Sequence, residues 1–317
     1  MSVNNIDSLR VPGHLEARAS LLSQVRQFFS QRKVLEVETP LARSYTVTEP
    51  HQQSFQLAGP EGELLVGSLF LQTSPEYAMK QLLARGSGDI YQVCKAFRFG
   101  EQGLQHSPEF TMLEWYRLGF DHHRLMDELA ELMQQLVGPK PIQKLTWRDA
   151  FIRYADIDPV IASCDQLINR AANSLATQPV TNQAQLRRLA CDLLLVDQVE
   201  PALGRDCLTF LYDYPADQAA LARVSDDPWP VAHRFELYVE GVELANGFHE
   251  LADANEQRRR FQQDNHQRRL NGVVEVALDE SLLAVLDQLP DCAGVAVGVD
   301  RVLQLMVGVS SLAEVKV

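Results

Sequence analysis

Paired cysteines are missing from this chain. The five that occur, Cys94, Cys164, Cys191, Cys207 and Cys292, are scattered with no CxxC and no paired histidine spacing. That excludes a structural zinc and a disulfide framework, and a reducing cytoplasm is the expected home. Positive charge is scarce as well: 29 Lys and Arg stand against 42 Asp and Glu, for a net charge of -13. A broad electrostatic grip on nucleic acid is thereby excluded, though a local basic patch is not. Long apolar runs are also absent. The first residues, MSVNNIDSLRVPGHLEAR, contain no signal-length apolar core, and no later run has the length to span a bilayer. No repeat or low-complexity tract interrupts the chain. What remains is 46% hydrophobic and 22% charged over 317 residues. That composition suits a soluble protein with one large domain, or a domain carrying a sizeable insertion.

The most informative stretch runs from Tyr91 to Arg117, YQVCKAFRFGEQGLQHSPEFTMLEWYR. Two apolar runs, 91–99 and 110–116, flank a polar segment with two glycines and a proline, the pattern of two antiparallel strands joined by a long loop. Alternation puts Phe110, Met112, Glu114 and Tyr116 on one face, with Leu113 and Trp115 on the other. The first face reads either as a ligand floor or as a half-solvated sheet with Glu114 in water.

Upstream, Leu15, Leu22, Val25 and Phe29 recur at helical spacing and predict a helix over 14–33. VLEVETP follows as a short strand ended by Pro40, and 47–72 reads as irregular strands. In LQTSPEYAMKQLL a strand turns into a helix, with Ser74 as N-cap, Pro75 at the first helical position and Glu76 favouring the dipole. A further helix is predicted over 118–138 and a mostly helical insertion over about 143–206. In RFELYVEGVELANGF, a two-residue turn at Glu240-Gly241 puts Glu236 opposite Ala245 and Tyr238 opposite Glu243. Glu236 and Glu243 then share a face as diagonal neighbours, which fits either a solvated hairpin or oxygen ligation of Mg²⁺. Residues 256–270 form a charged helix with Arg258, Arg259, Arg260, Arg268 and Arg269. Near the end, a glycine-bounded strand over 294–298 leads into a helix whose first turn holds Arg301. The helix dipole disfavours a cation there unless an anion docks nearby.

Arg98 at a strand end, followed by a loop and HSPEFTMLEWY, resembles the second signature motif of class II aminoacyl-tRNA synthetases, in the lysyl branch. VLEVETP, ELANGFHEL (243–251) and GVAVGVDR (294–301) agree in order and spacing. The resemblance covers nearly the whole chain, and is greatest to the short members that lack an anticodon-binding domain. It implies an α+β fold, an antiparallel sheet flanked by helices in a single catalytic domain over 1–317, and a two-fold homodimer built on the first motif.

The same resemblance implies a ligase that adenylates (R)-β-lysine or lysine with ATP. The amino acid is then passed to a lysine of translation elongation factor P, with no role for tRNA or membrane. Arg98 and Arg301 would be catalytic, Arg98 on the α-phosphate and Arg301 with His106 on the distal phosphates. Phe110 would stack on adenine, and Phe99, Gly100, Ser107, Glu243, Leu244 and Gly298 would complete the ATP site. Glu236 and Glu243 would carry Mg²⁺. Ser74, Pro75, Glu76, Glu114, Tyr116, Asn246, Glu250 and Ala296 would line the amino-acid pocket. Several carboxylates around one small site suit a substrate with two ammonium groups.

Five departures stand out. Gly100 replaces a carboxylate that reads the adenine edge, and the neighbouring Glu101 would face the other way in an extended strand. The loop has Leu104 and Gln105 where an arginine is usual, and Ser107 in place of an asparagine. Relatives also carry glycine where Ala296 stands, and an aromatic-rich tail where this chain ends. Two other readings therefore remain at this level: a non-catalytic amino-acid or nucleotide sensor, and a lysyl-type domain charging RNA.

Overall fold

Leu21, Val25, Phe28 and Phe29 fall on one stripe of the helix Pro12–Gln31, and all four are buried. Leu15, predicted for the same stripe, is instead exposed. Phe29 stacks on Tyr91 at 4.4 Å between ring centroids and meets Trp115 edge-on at 5.3 Å, docking the helix on the sheet below. These elements belong to a computed structural model that describes residues 12–59, 64–171 and 182–316. It divides the chain into two units, Met1–Gly138 with His249–Val317, and Pro139–Phe248. The amino-terminal stretch 1–11 and residues 172–181 of the expected insertion lie outside the described residues.

In the first unit, Leu35–Glu36 pairs in parallel with Ile90–Phe97, which pairs antiparallel with Glu109–Leu118. Cys292–Gly298 then adds antiparallel to Glu109–Leu118, with Gly294 opposite Tyr116, Ala296 opposite Glu114 and Gly298 opposite Met112. The helix His122–Val137 starts later than predicted because the Asp121 side chain accepts from the Arg124 N–H and caps it. On the sheet face that buries Trp115, its indole N–H donates to Glu128 at 3.0 Å. A separate three-stranded sheet orders Ala42–Arg43, Leu64–Leu71 and Gln56–Ala58. The helices Glu76–Ala84, Ala254–Leu270 and Val299–Val307 complete this unit.

Four further strands are built largely from the second unit. Ile142–Thr146 runs parallel to Leu208–Pro215, which pairs antiparallel with Val231–Val239, and that strand with Val242–His249. Its helices are Trp147–Tyr154, capped by Thr146, Cys164–Arg170, opened by a Ser163–Gln166 capping box, and Gln183–Leu194. Their apolar faces meet in a core of Trp147, Phe151, Leu167, Cys191, Leu211 and Tyr214. Predominantly antiparallel sheets flanked by helices make this an α+β protein, as the sequence predicts.

Candidate active site

Period-two alternation places Glu114 and Tyr116 on the same sheet face as Gly294 and Ala296. That face is not solvated: Glu114 and Tyr116 are each only 2% exposed. Tyr116 donates its hydroxyl to Glu114 Oε1 at 2.7 Å, and Glu114 Oε2 is buried with no hydrogen-bond partner among the described residues. Burial, followed by the charge of Glu76, raises the Glu114 carboxyl well above its usual range. Cys94, opposite Met112 on the neighbouring strand, is pushed up to about 12 by burial and by the Glu114 charge.

Glu76 comes from the helix Glu76–Ala84, one residue later than predicted: Pro75 occupies the cap position and Ser74 Oγ accepts from the Glu76 N–H at 3.3 Å. Four residues on, the ammonium of Lys80 lies 2.8 Å from Glu76 Oε1 and 2.6 Å from Glu250 Oε2. Burial alone would favour a neutral amine, but the charges of Glu250 and Glu76 outweigh it and hold Lys80 above its ordinary value. Gly294 is required where it stands: a Cβ there would lie 2.3 Å from the Tyr116 ring and 2.6 Å from Glu250 Oε1. Ser74, Pro75, Glu76, Glu114, Tyr116, Glu250 and Ala296, all expected in one pocket, thus belong to one unit. The structure draws Glu76, Glu114, Tyr116 and Glu250 together around a lysine that pattern reading passed over.

A second group in the same unit is cationic. The Arg98 guanidinium lies 5.1 Å from the centroid of the Phe110 ring, while Phe99 is exposed. Gly100 adopts a φ of +82°, which turns the chain and brings Glu101 back to 3.7 Å from Arg98. This corrects the expectation that Glu101 points away: the strand has already ended, so alternation no longer applies. Gly298 caps the helix Val299–Val307, and Arg301 in its first turn donates to Gln105 O at 3.2 Å and meets His106 Nε2 at 3.1 Å. Desolvation and the adjacent Arg301 charge lower the His106 imidazole, so at neutral pH it accepts rather than repels. Ser107 accepts a hydrogen bond from Lys316. Two guanidiniums, a helix start and a stacking ring suit a polyphosphate carrying a base.

In the second unit the hairpin differs from the predicted register. Glu243 faces Tyr238 as expected, but a bulge between Glu243 and Ala245 sets Asn246, not Ala245, opposite Glu236. Glu236, Tyr238, Glu243 and Asn246 therefore share a face, and Leu244 and Ala245 are buried. Glu236 Oε2 accepts from both Tyr214 and Tyr238 at 2.6 Å, and Oε1 accepts from Arg234 at 2.5 Å. Arg234 also reaches Asn246 Oδ1 at 3.3 Å. A carboxylate offers about four acceptor positions, so one remains on Glu236. With half-exposed Glu243 beside it, the all-oxygen pair fits Mg²⁺. Arg234 and Tyr214 were missed from sequence, although Arg234 lies two residues before Glu236 and hence on its face; Tyr238 was placed on that face but given no role.

The chain matches the family model of tRNA synthetases class II (D, K and N) over residues 5–317. A relative from Salmonella typhi, named elongation factor P–(R)-β-lysine ligase, is 46% identical over 311 residues, 97% of this chain and 95% of the relative. The protein of the same name from Klebsiella pneumoniae (strain 342) is 47% identical over 311 residues, with the same shares covered.

Proposed function

This chain belongs to the class II tRNA synthetases of the D, K and N type, and we propose that within them it is an ATP-dependent ligase that joins (R)-β-lysine to elongation factor P. The relatives with which it shares nearly its whole length carry that name. The structural observation that carries the reading is the acidic pocket of Glu76, Glu114 and Glu250, in which Glu114 presents a buried oxygen without a hydrogen-bond partner among the described residues. Such a site favours an amino acid with a second ammonium group. A monoamine would leave a buried carboxylate uncompensated, at a cost of several kcal/mol.

In the first step a carboxylate oxygen of the amino acid attacks the α-phosphorus of ATP. The bond to the bridging oxygen breaks and pyrophosphate leaves. Arg98, held over Phe110, meets charge developing on the α-phosphate, while Arg301 and His106 hold the distal phosphates. Phe110 supports the adenine, with Phe99, Gly100, Ser107 and Gly298 of the same unit at the ATP site; Leu244, also expected there, is buried in the second unit. Glu236 and Glu243 would hold Mg²⁺, which when bound offsets phosphate charge. In the second step the neutral amine of an acceptor lysine attacks the adenylate carbonyl and AMP departs, which requires that amine to shed its proton as it enters the site.

We assign the protein to the cytoplasm and to a homodimer. Exposed Leu35, within the first motif, and Leu41, directly after it, support the dimer. No helix among the described residues is long and apolar enough to cross a membrane. The decisive experiment is ATP–pyrophosphate exchange with (R)-β-lysine and with α-lysine, followed by transfer of labelled (R)-β-lysine to elongation factor P. Exchange dependent on amino acid, and label on the protein, are expected. Exchange with neither amino acid would overturn the reading in favour of a sensor.

A further inference from the structure

Lys80 has no part in the assignments above, yet it is the most deeply placed cation of the amino-acid pocket. It is 1% exposed on the interior face of the helix Glu76–Ala84, in contact with two carboxylates from different elements, Glu76 and Glu250. We propose that Lys80 is a positioning residue that fixes the net charge of the pocket, and so confines it to amino acids with two ammonium groups. This rests on the ligase reading above.

The argument is one of charge at close quarters. With Lys80 between them, Glu76 and Glu250 carry a combined charge of -1 over the three groups, and each turns one oxygen to the same ammonium. Glu114 faces this cluster with Tyr116 donating to it and Cys94 nearby. Burial and the neighbouring carboxylate favour its neutral acid form. The pocket then offers -1. A diamino acid at neutral pH has two ammonium groups and one carboxylate, a net charge of +1, and the filled site is neutral. A monoamino acid has no net charge and leaves the pocket's own charge buried. Without Lys80, two carboxylates meet in a dry site and one of them takes up a proton. That proton restores the charge of -1, so the match to a diamino acid holds only while the proton stays bound and is lost as pH rises.

Lys80→Gln tests this directly, because the amide keeps donors for both carboxylates but carries no charge. In pyrophosphate exchange its KM for (R)-β-lysine should rise by about tenfold or more, with KM for ATP within about twofold of wild type. That KM should rise further as pH increases from about 6.5 to 8, whereas the wild-type value stays flat. A packing defect would impair both substrates and would not create a new pH dependence. Lys80→Met, matched in length, repeats the test with the donors removed. Isothermal titration of the wild type in two buffers of different ionisation enthalpy needs no variant. It should show (R)-β-lysine binding near pH 7 without net proton exchange. A Lys80→Gln enzyme with unchanged KM and no pH dependence, or proton release on binding to wild type, would overturn the proposal while the ligase reading stands. Absence of exchange by the wild type would instead remove the ligase reading itself.

Discussion

Glu114 is a carboxyl group held almost dry beside a second carboxylate, and its behaviour should be visible without any substrate. Burial and Glu76 raise its folded value, so the native state binds this proton more tightly than the unfolded chain does. Its contribution to stability is complete below the usual carboxylate range and is lost as pH rises through the folded value. Glu114→Gln removes the titration and keeps the shape. The melting temperature of the variant relative to wild type should therefore climb as pH rises above the usual carboxylate range, measured by thermal unfolding in the absence of ligand. A constant difference would mean that Glu114 is ionised throughout. The two guanidiniums of the phosphate site act on rate instead. Arg98→Ala and Arg301→Ala should each slow pyrophosphate exchange by about 10²–10³-fold, as expected for losing one charge contact made in the transition state. Arg301 also anchors Gln105 and His106, so its loss should raise KM for ATP as well as lower kcat.

At the scale of elements, the strand Cys292–Gly298 forms one wall of the amino-acid pocket, and its small residues set the room available. Gly294→Ala would drive a methyl group into Tyr116 and Glu250. A rise in KM for (R)-β-lysine of more than about tenfold is expected, with the fold retained by circular dichroism. Ala296 sits directly opposite Glu114 and already carries the extra methyl. Ala296→Gly should shift preference toward α-lysine by about 1–3 kcal/mol, read as the ratio of kcat/KM for the two amino acids. The face of Glu114 and Tyr116 was legible in the sequence because a strand has a strict period of two, whereas Ala296 was placed by the family resemblance. The bulge between Glu243 and Ala245 was not legible. One extra residue changes no side-chain pattern, yet it moves Asn246 onto the face of Glu236. Gly100 hid Glu101 for a related reason: a positive φ ends the alternation on which the expectation rested. Lys80 was passed over in the sequence, since its burial among carboxylates depends on Glu250, which is distant in sequence.

For the molecule as a whole, the question is what accepts the activated amino acid. A net charge of -13 opposes the approach of a polyanion such as tRNA unless a basic patch compensates. The densest basic run lies on the helix Ala254–Leu270, where contacts to an acidic acceptor would be sought first. The structure matches most of it internally. Arg258 pairs with Glu280, Arg259 and Arg260 with Glu256, and Arg269 with Glu275. Arg268 is buried, donating to the carbonyls of Val274, Glu49 and Gln52. Exposed pairs of this kind add little stability, but they cancel the field that would draw in an anionic partner. Hence Arg259→Glu with Arg260→Glu should leave transfer to elongation factor P within about twofold, since Glu256, shared between them, offsets one of their two positive charges. Transfer itself should favour protein over RNA. With ATP, labelled (R)-β-lysine and equal amounts of elongation factor P and bulk tRNA, label is expected on the protein alone at physiological salt. Lower salt lengthens the reach of repulsion and should not bring tRNA into play. Label on tRNA, or loss of transfer but not of pyrophosphate exchange in the double charge reversal, would show that this helix presents an anion-binding face after all.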